Sequence, residues 1–377
     1  MRRLTSHPKI ECLEQRDCPA PLNFFFDSVG NLKITGSPAS PGLGGLEIIS
    51  GPDGVIEVVD GGITALPATP VNGNIIVQVD NGDDLILMDL TGGSLFGSVQ
   101  VDMGQGDDEI EIFGAGTSIA GSVSLSKVNG FVLIEDVLIG GNVTINNASE
   151  NLLNDITLDL SFVGGNFSYT GGTARDVVTI SETFVGGNAY LSMSNGVNSF
   201  SITGGLTTAI GGTVQFVGGT NDDNIVVDGI IGRSLYVNSS AGANSLDFNS
   251  GSILGGNLTV IGGFQNDSVD LGGVAGGGTI GGNVYLNLGG GDNSFALNLT
   301  VGGSSLTYIG GINEDNITFD TSASTPLARV YMQLGLDNDS LTLMSANMRY
   351  LYVDFGFGLD TFSGTLPFIP VVLRNLP

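Results

Sequence analysis

One phrase recurs along this chain: an asparagine or aspartate, any residue, then apolar residues two and four positions on. Its polar member falls at Asp84, Asp108, Asn129, Asn154, Asp176, Asn198, Asp223, Asn244, Asp267, Asn293, Asp315, Asp339 and Asp360, at intervals of 21 to 26 residues with a mean of 23. Such side chains can do three sorts of chemistry. Hard carboxylate oxygens can chelate calcium. Two carboxyl groups facing each other across a cleft can hydrolyse a glycosidic bond. Short polar side chains can also bond the backbone around them and hold a turn. Which applies depends on the elements that carry the residues.

The apolar pairs that follow include Ile110 and Ile112, Val178 and Ile180, Phe200 and Ile202, Ile225 and Val227, Phe295 and Leu297, and Leu341 and Leu343. Alternation with period two marks a strand with one buried face. A second strand begins nine residues before the polar residue in most coils, with Val99 and Val101, Phe167 and Tyr169, Val214 and Phe216, Leu258 and Val260, Val284 and Leu286, and Val330 and Met332. The interval ending at Asn129 fits this spacing poorly. A third short apolar segment precedes a glycine pair at Ile139, Val163, Val185, Ile210, Leu254, Ile280 and Val301. No interval reads as an amphipathic helix. One coil alone would expose its apolar pairs and its backbone donors; stacking coils in parallel at about 4.8 Å satisfies both. The sequence therefore predicts an all-β fold, a parallel β-solenoid of about thirteen coils of about 23 residues. That coil length suits a right-handed, three-sided β-helix.

Residues 1–20 read as a leader or arm, 21–73 as an N-terminal cap with irregular coils around Leu32 to Thr35 and Val55 to Val58, 74–364 as the solenoid, and 365–377 as a C-terminal cap or tail. The prolines of that tail, Pro367 and Pro370, suit an open sheet edge. The 377-residue chain carries a net charge of −27 with only 11 lysines and arginines. Such a surface repels nucleic acid and anionic membrane, and attracts cations or basic surfaces. Polysaccharide or matrix is compatible with it as a partner. Cys12 and Cys18 make no zinc pattern, and no later cysteine or histidine could complete one. No apolar run reaches the roughly 18 residues of a membrane span. The basic start Met1-Arg2-Arg3 lacks the apolar run of an ordinary secretory signal.

From Asn154 to Asp315 the corner residues alternate strictly between Asn and Asp. Carboxylates stacked at about 4.8 Å would repel. Alternation doubles their separation and lets an amide donate to a neighbouring carboxylate. The middle thus reads as a polar ladder that satisfies itself. The ends differ: Asp84 and Asp108 are consecutive, as are Asp315, Asp339 and Asp360. These five are the candidate metal ligands, with calcium as the ion.

The stretches Gly104-Gln-Gly-Asp-Asp-Glu-Ile110, Gly218-Gly-Thr-Asn-Asp-Asp-Asn-Ile225, Gly289-Gly-Gly-Asp-Asn-Ser-Phe295 and Gly310-Gly-Ile-Asn-Glu-Asp-Asn-Ile317 resemble the hemolysin-type (RTX) calcium-binding nonapeptide. That resemblance implies calcium held between successive coils by turn carbonyls and Asp carboxylates. The chain departs from the family in having one such turn per coil of about 23 residues rather than one every nine. Glu11-Cys-Leu-Glu-Gln-Arg-Asp-Cys-Pro-Ala20 resembles the LExLExR…PA leader of planctomycete-type extracellular repeat proteins, although Cys12 lies within it. The Gly-rich, Asp-punctuated repeats of those proteins are also similar to Leu32-Lys-Ile-Thr-Gly36 and Asn81-Gly-Asp-Asp-Leu-Ile86. The resemblance implies export to the envelope or exterior.

A catalytic reading finds little support. The only histidine, His7, lies in the arm, so no Ser-His-Asp or Cys-His arrangement can form in the solenoid. Parallel β-helix pectin-degrading enzymes are the natural comparison, and the Asn-Thr-Asp, Gly-His-Gly and Arg-x-Lys signatures of their hydrolases do not occur here. Arg175, Arg233, Arg329 and Arg349 remain for a lyase, with Arg233 and Arg329 at turns that start strands. Gly276-Gly-Gly-Thr-Ile-Gly281 matches GxGxxG but leads into a strand, without the helix N-terminus that holds phosphate. An ice- or surface-binding solenoid would need a regular Thr-x-Thr face, which Thr144, Thr157, Thr179 and Thr203 are not expected to form. The expectation is a secreted or cell-surface structural or adhesive solenoid without enzymatic activity, stabilised by calcium. The alternative is a polysaccharide-active enzyme of the parallel β-helix type.

Overall fold

The period-two pairs build strands, and the coil spacing stacks them. The computed structural model describes residues 22–38, 45–148, 152–272, 277–320, 327–345, 347–364 and 370–376. The leader-like arm with His7, Cys12 and Cys18 lies outside these residues, as do residues 365–369 and 377 of the tail.

The first sheet has sixteen strands, arranged in space in the order they occur in the chain. Its opening strand, Asn23–Phe26, runs antiparallel to Leu32–Gly36. Every later step is parallel, from Leu32–Gly36 beside Ile75–Val79 to Leu351–Asp354 beside Val371–Arg374. The second sheet climbs the rod in the same way, through strands such as Asn154–Asp159, Asp176–Ser181 and Asn198–Thr203. A third ladder of two-residue strands passes from Phe162–Val163 to Thr300–Val301. Low in the rod, Asp108–Ile119 and Gly130–Ile139 run through the corner and serve both second and third ladders, with a register shift between Glu135 and Val137. The molecule is a parallel β-solenoid. Among the described residues the only helical turns are the 3-10 segments Pro52–Gly54 and Gly205–Thr207.

Inward residues from all three sides form one continuous core. Ile156, Leu158, Val163, Phe167, Val178, Ile180, Val185, Phe200 and Ile202 are completely buried within it. The first coil is already in register: Leu46–Ser50 pairs in parallel with Leu85–Asp89. Val55–Asp60, however, does not form a coil. It folds back as the middle strand of an antiparallel arm with Leu46–Ser50 and Ile63–Pro70.

The interval ending at Asn129 needs correction. Gly130, not Asn129, pairs with Asp108, and the inward residues there are Val132 and Ile134 rather than Phe131 and Leu133. The corner position is glycine because a Cβ at residue 130 would lie 2.4 Å from the Asp108 carbonyl oxygen and 2.7 Å from Asp107 Oδ1. Asn129 is pushed inward beside it and is fully buried. The four threonines form no regular face, although two of them are in line. Thr157 and Thr179 do share a coil position, and Ser201 continues that column before Val226 ends the run of hydroxyls.

Candidate functional site

The polar corner is built by strand geometry. Each corner residue sits where the chain turns into the second sheet, two positions before an inward apolar residue, so its own side chain also turns inward. Except at Asn129, the corner residues stack in consecutive coils, as Asn198, Asp223 and their neighbours show. None is more than 7% exposed. Buried polar groups must find partners, and the ladder supplies them in a directional way. The Asn154, Asn198, Asn244 and Asn293 amides donate to Oδ1 of Asp176, Asp223, Asp267 and Asp315 in the next coil, at 2.6, 2.9, 2.9 and 2.9 Å. In the other steps the Asn oxygen accepts the backbone N–H of the preceding Asp: Asp176 to Asn198, Asp223 to Asn244 and Asp267 to Asn293, at 2.9–3.0 Å. The alternation therefore links each Asn to both neighbours, by amide on one side and by carbonyl oxygen on the other, and leaves Oδ2 of Asp176, Asp223 and Asp315 without a hydrogen bond.

The second carboxylate oxygen reveals a larger unit. Five residues before Asp176, Asp223, Asp267 and Asp315 stands a glycine: Gly171, Gly218, Gly262 and Gly310. A Cβ there would lie 1.8, 1.7, 2.0 and 1.6 Å from the Asp Oδ2. In the intervening Asn coils the same position holds Met193, Ser239 and Leu288, all buried. A missing side chain thus makes room for each inward carboxyl group. The Gly263 amide donates to Asp267 Oδ2 at 3.2 Å, and Tyr169 and Tyr308 lie beside Asp176 and Asp315. The repeating unit of the middle is a pair of coils, one with Gly and Asp, one with a larger residue and Asn.

Burial dominates the electrostatics of these acids. It pushes Asp223 and Asp315 up to about 7 and Asp176 up to about 6, against lowering by their hydrogen-bond donors. Asp267 is raised for the same reason. Protonation is the relief available to carboxyl groups taken out of water.

The five proposed ligands all belong to this ladder. Asp108 Oδ1 accepts from the Asp84 N–H at 3.0 Å, Asp339 Oδ1 from Asp315 N–H at 2.8 Å, and Asp360 Oδ1 from Asp339 N–H at 2.9 Å. Asp315 belongs with the alternating acids, since Asn293 donates to it and Gly310 makes room for it. Asp84, Asp108, Asp339 and Asp360 instead have Val79, Met103, Leu334 and Phe355 five residues upstream, where the others have glycine. Burial, joined by nearby carboxylates, pushes Asp84, Asp108 and Asp339 up to about 7. Among the described residues no three acidic, histidine or cysteine side chains converge on one point. Calcium takes six to eight oxygens; within the ladder the Oδ2 atoms of Asp108, Asp315, Asp339 and Asp360 are buried and complete no hydrogen bond. Acidic side chains do gather at the N-terminal end, where Asp83, Asp84, Asp107, Asp108, Glu109 and Asp155 line a trough of about 560 Å³ with Leu152 and Leu153.

Two outer columns escaped the sequence reading. The first is a ladder of Asn and Ser one residue before the first-sheet strands. Asn142, Asn166 and Asn188 each accept the backbone N–H of the corresponding residue one coil on, at 2.8 Å; Asn257 and Asn283 do the same at 2.8 and 3.0 Å. Its signal was the residue after each glycine pair. The second is a tyrosine column on the outer face of the first sheet. In-register pairing stacks Tyr190, Gln215, Tyr236, Thr259, Tyr285, Thr307, Tyr331 and Tyr352. Tyrosine occupies every second coil up to Tyr331, and Tyr190, Tyr236 and Tyr285 lie in the Asn coils. The next outward residue alternates too: Ser192, Asn238 and Asn287 in tyrosine coils, Val217, Ile261 and Ile309 between them. Inner ladder and outer column therefore share one two-coil period.

No family model matches the chain, and no curated protein matches it. A solved structure described as a hyperactive, Ca2+-dependent, β-helical antifreeze protein from an Antarctic bacterium aligns with 76% of this chain and 83% of its own, at 17% identity and a TM-score of 0.37. A likeness that loose carries no site residues across.

Proposed function

We propose that this chain is a structural and adhesive rod that works outside the cell. The observation that carries this reading is the continuous solenoid itself. Its polar corners are used in joining one coil to the next, which leaves long, regular outer columns as the surface it presents. Acidic side chains and a charge of −27 keep that surface soluble and repel anionic polymers. The one salt bridge among the described residues, Lys127 to Asp102 at 3.1 Å, is exposed and adds little. Divalent cations enter this reading as counter-ions at the N-terminal trough, where Asp83, Asp107 and Glu109 stand over Asp84 and Asp108. The leader-like segment at residues 11–20 favours export. A polysaccharide-active enzyme would need its acid and base together in one cleft, whereas here the buried carboxyl groups are occupied as rungs.

Protease treatment of intact source cells tests the proposal. An exterior rod is cut away or shed while cytoplasmic markers survive. Full protection of the chain until the cells are lysed would overturn it.

A further inference from the structure

We propose that the column of Tyr190, Tyr236 and Tyr285 is a binding strip for a neutral, extended polysaccharide laid along the rod axis, which touches one ring in every second coil. The inference rests on the adhesive reading above and names its ligand. Successive rings are two coil spacings apart, about 10 Å, comparable with one disaccharide step of an extended β-linked hexose chain. Tyr190 is 41% exposed and Tyr285 38% exposed, and Tyr236 between them is half-buried. An aromatic ring with one apolar face and a polar tip suits a pyranose ring, which presents C–H groups on its faces and hydroxyls at its edge. The Asn188 amide donates to the Tyr190 hydroxyl at 3.0 Å and holds that tip in place. Beside Tyr190 lies a depression of about 160 Å³ floored by Ser192, Gln215 and Val217.

Charge selects the ligand class. From Ser168 to Ile309 the outward positions of the first-sheet strands carry no charged residue, although the chain as a whole is strongly acidic. A neutral strip on an anionic rod admits a neutral polymer and turns away uronates and nucleic acid. The C-terminal end shows what a closed column looks like. There the alternation stops, Tyr331 and Tyr352 stack on each other at 4.8 Å with 6° between their planes, and Arg374 covers Tyr352 at 5.5 Å. The three tyrosines below have no such neighbour ring, because Gln215, Thr259 and Thr307 keep the intervening places open.

The test is depletion of the full chain from solution by cellulose or chitin particles, with pectate gel as the anionic control. Retention on one or both neutral polymers is expected, with none on pectate. Replacing Tyr190, Tyr236 and Tyr285 together by Ser should weaken retention roughly tenfold or more, at a factor of about two to ten per ring. The melting temperature should change little, since the rings are on the surface. Gln215→Tyr should also weaken retention by rebuilding the closed stack seen at Tyr331 and Tyr352, and the triple Tyr→Phe variant should retain most of it. Equal retention by the wild type and the Ser variant would overturn the proposal. So would absence of retention on any neutral polymer, or a column that proves to be buried against a second copy of the chain, seen as a change of oligomeric state in the Ser variant. Protease shaving reports separately on whether the rod is outside the cell, so the two readings fail independently.

Discussion

Asp176→Asn isolates the cost of a buried carboxyl group. Asp176 Oδ1 accepts the Asn154 amide at 2.6 Å. Its Oδ2 lies under Gly171, is shut away from water and completes no hydrogen bond, with the Tyr169 hydroxyl nearby. Asparagine has the same shape and the same neutrality as the protonated acid, and its amide can turn toward the Tyr169 hydroxyl. Burial raises the folded-state value of Asp176 from 3.8 to about 6. The folded chain therefore holds a proton that the unfolded chain has released, and stability falls as pH rises through this window. Its contribution is fully intact well below pH 3.8, is down by about 1 kcal/mol at pH 4.5, and levels off at a loss of about 3 kcal/mol above pH 7. Asp176→Asn removes this dependence at one site. Urea unfolding of both proteins at pH 4.5 and pH 8 should show the variant gaining about 2 kcal/mol on the wild type between the two conditions. The general repulsion of a −27 chain cancels in that comparison. A difference that stays constant, or that moves the other way, would refute the claim that burial holds this carboxyl group protonated.

Asn244→Asp should destabilise by about 3 kcal/mol or more at pH 8, because Asn244 donates to Asp267 Oδ1 at 2.9 Å and to the Gly242 carbonyl at 2.8 Å and an ionised Asp can do neither. Much of that loss should return at pH 4.5, and urea midpoints at the two pH values check it. Phe295→Asp places a charge in the core where the native ring is 1% exposed, and should abolish cooperative unfolding in circular dichroism; Ala296→Asp, one residue away on the outer face, should leave it intact. Millimolar calcium should raise the melting temperature above that in sodium chloride of equal ionic strength, by relieving the crowding of carboxylates at the trough. Asp83→Asn with Asp107→Asn should remove most of that difference, and an undiminished calcium effect would place the ion elsewhere.

Much of the architecture was legible because stacking makes each inward position repeat. Ile225, Phe295 and Leu341 could be assigned to the core from spacing alone, and Asp223, Asn244 and Asp267 to one corner. The reading failed at Asn129, where the polar residue most like a corner is one place out of step. The register there is set by a close backbone approach that only Gly130 allows. It also divided the acids by their immediate neighbours, which grouped Asp315 with Asp339 and Asp360. The distinction lies five residues upstream, in whether glycine leaves room for Oδ2. The outer tyrosines were harder to see because surface columns do not contribute to the apolar rhythm, and their period is two coils rather than one. Calcium was not legible from residue types, since carboxylates that form rungs and carboxylates that chelate look alike in sequence.

The coil pair is the claim on which both inner ladder and outer column depend, and it can be cut out whole. Deleting residues 199–244 removes one Asn coil and one Asp coil and joins Asn198 to Ser245 in phase. Deleting residues 199–223 removes a single coil, which brings Asn198 beside Asn244 and Tyr190 beside Tyr236. Melting temperatures of the two variants decide the matter. The shorter rod that keeps whole pairs should melt within a few degrees of the wild type, while the variant missing one coil should melt well below it despite having lost fewer residues. Equal melting of the two, or a more stable single-coil deletion, would show that the solenoid repeats coil by coil and that the alternation of Asp, Gly and Tyr has no structural meaning.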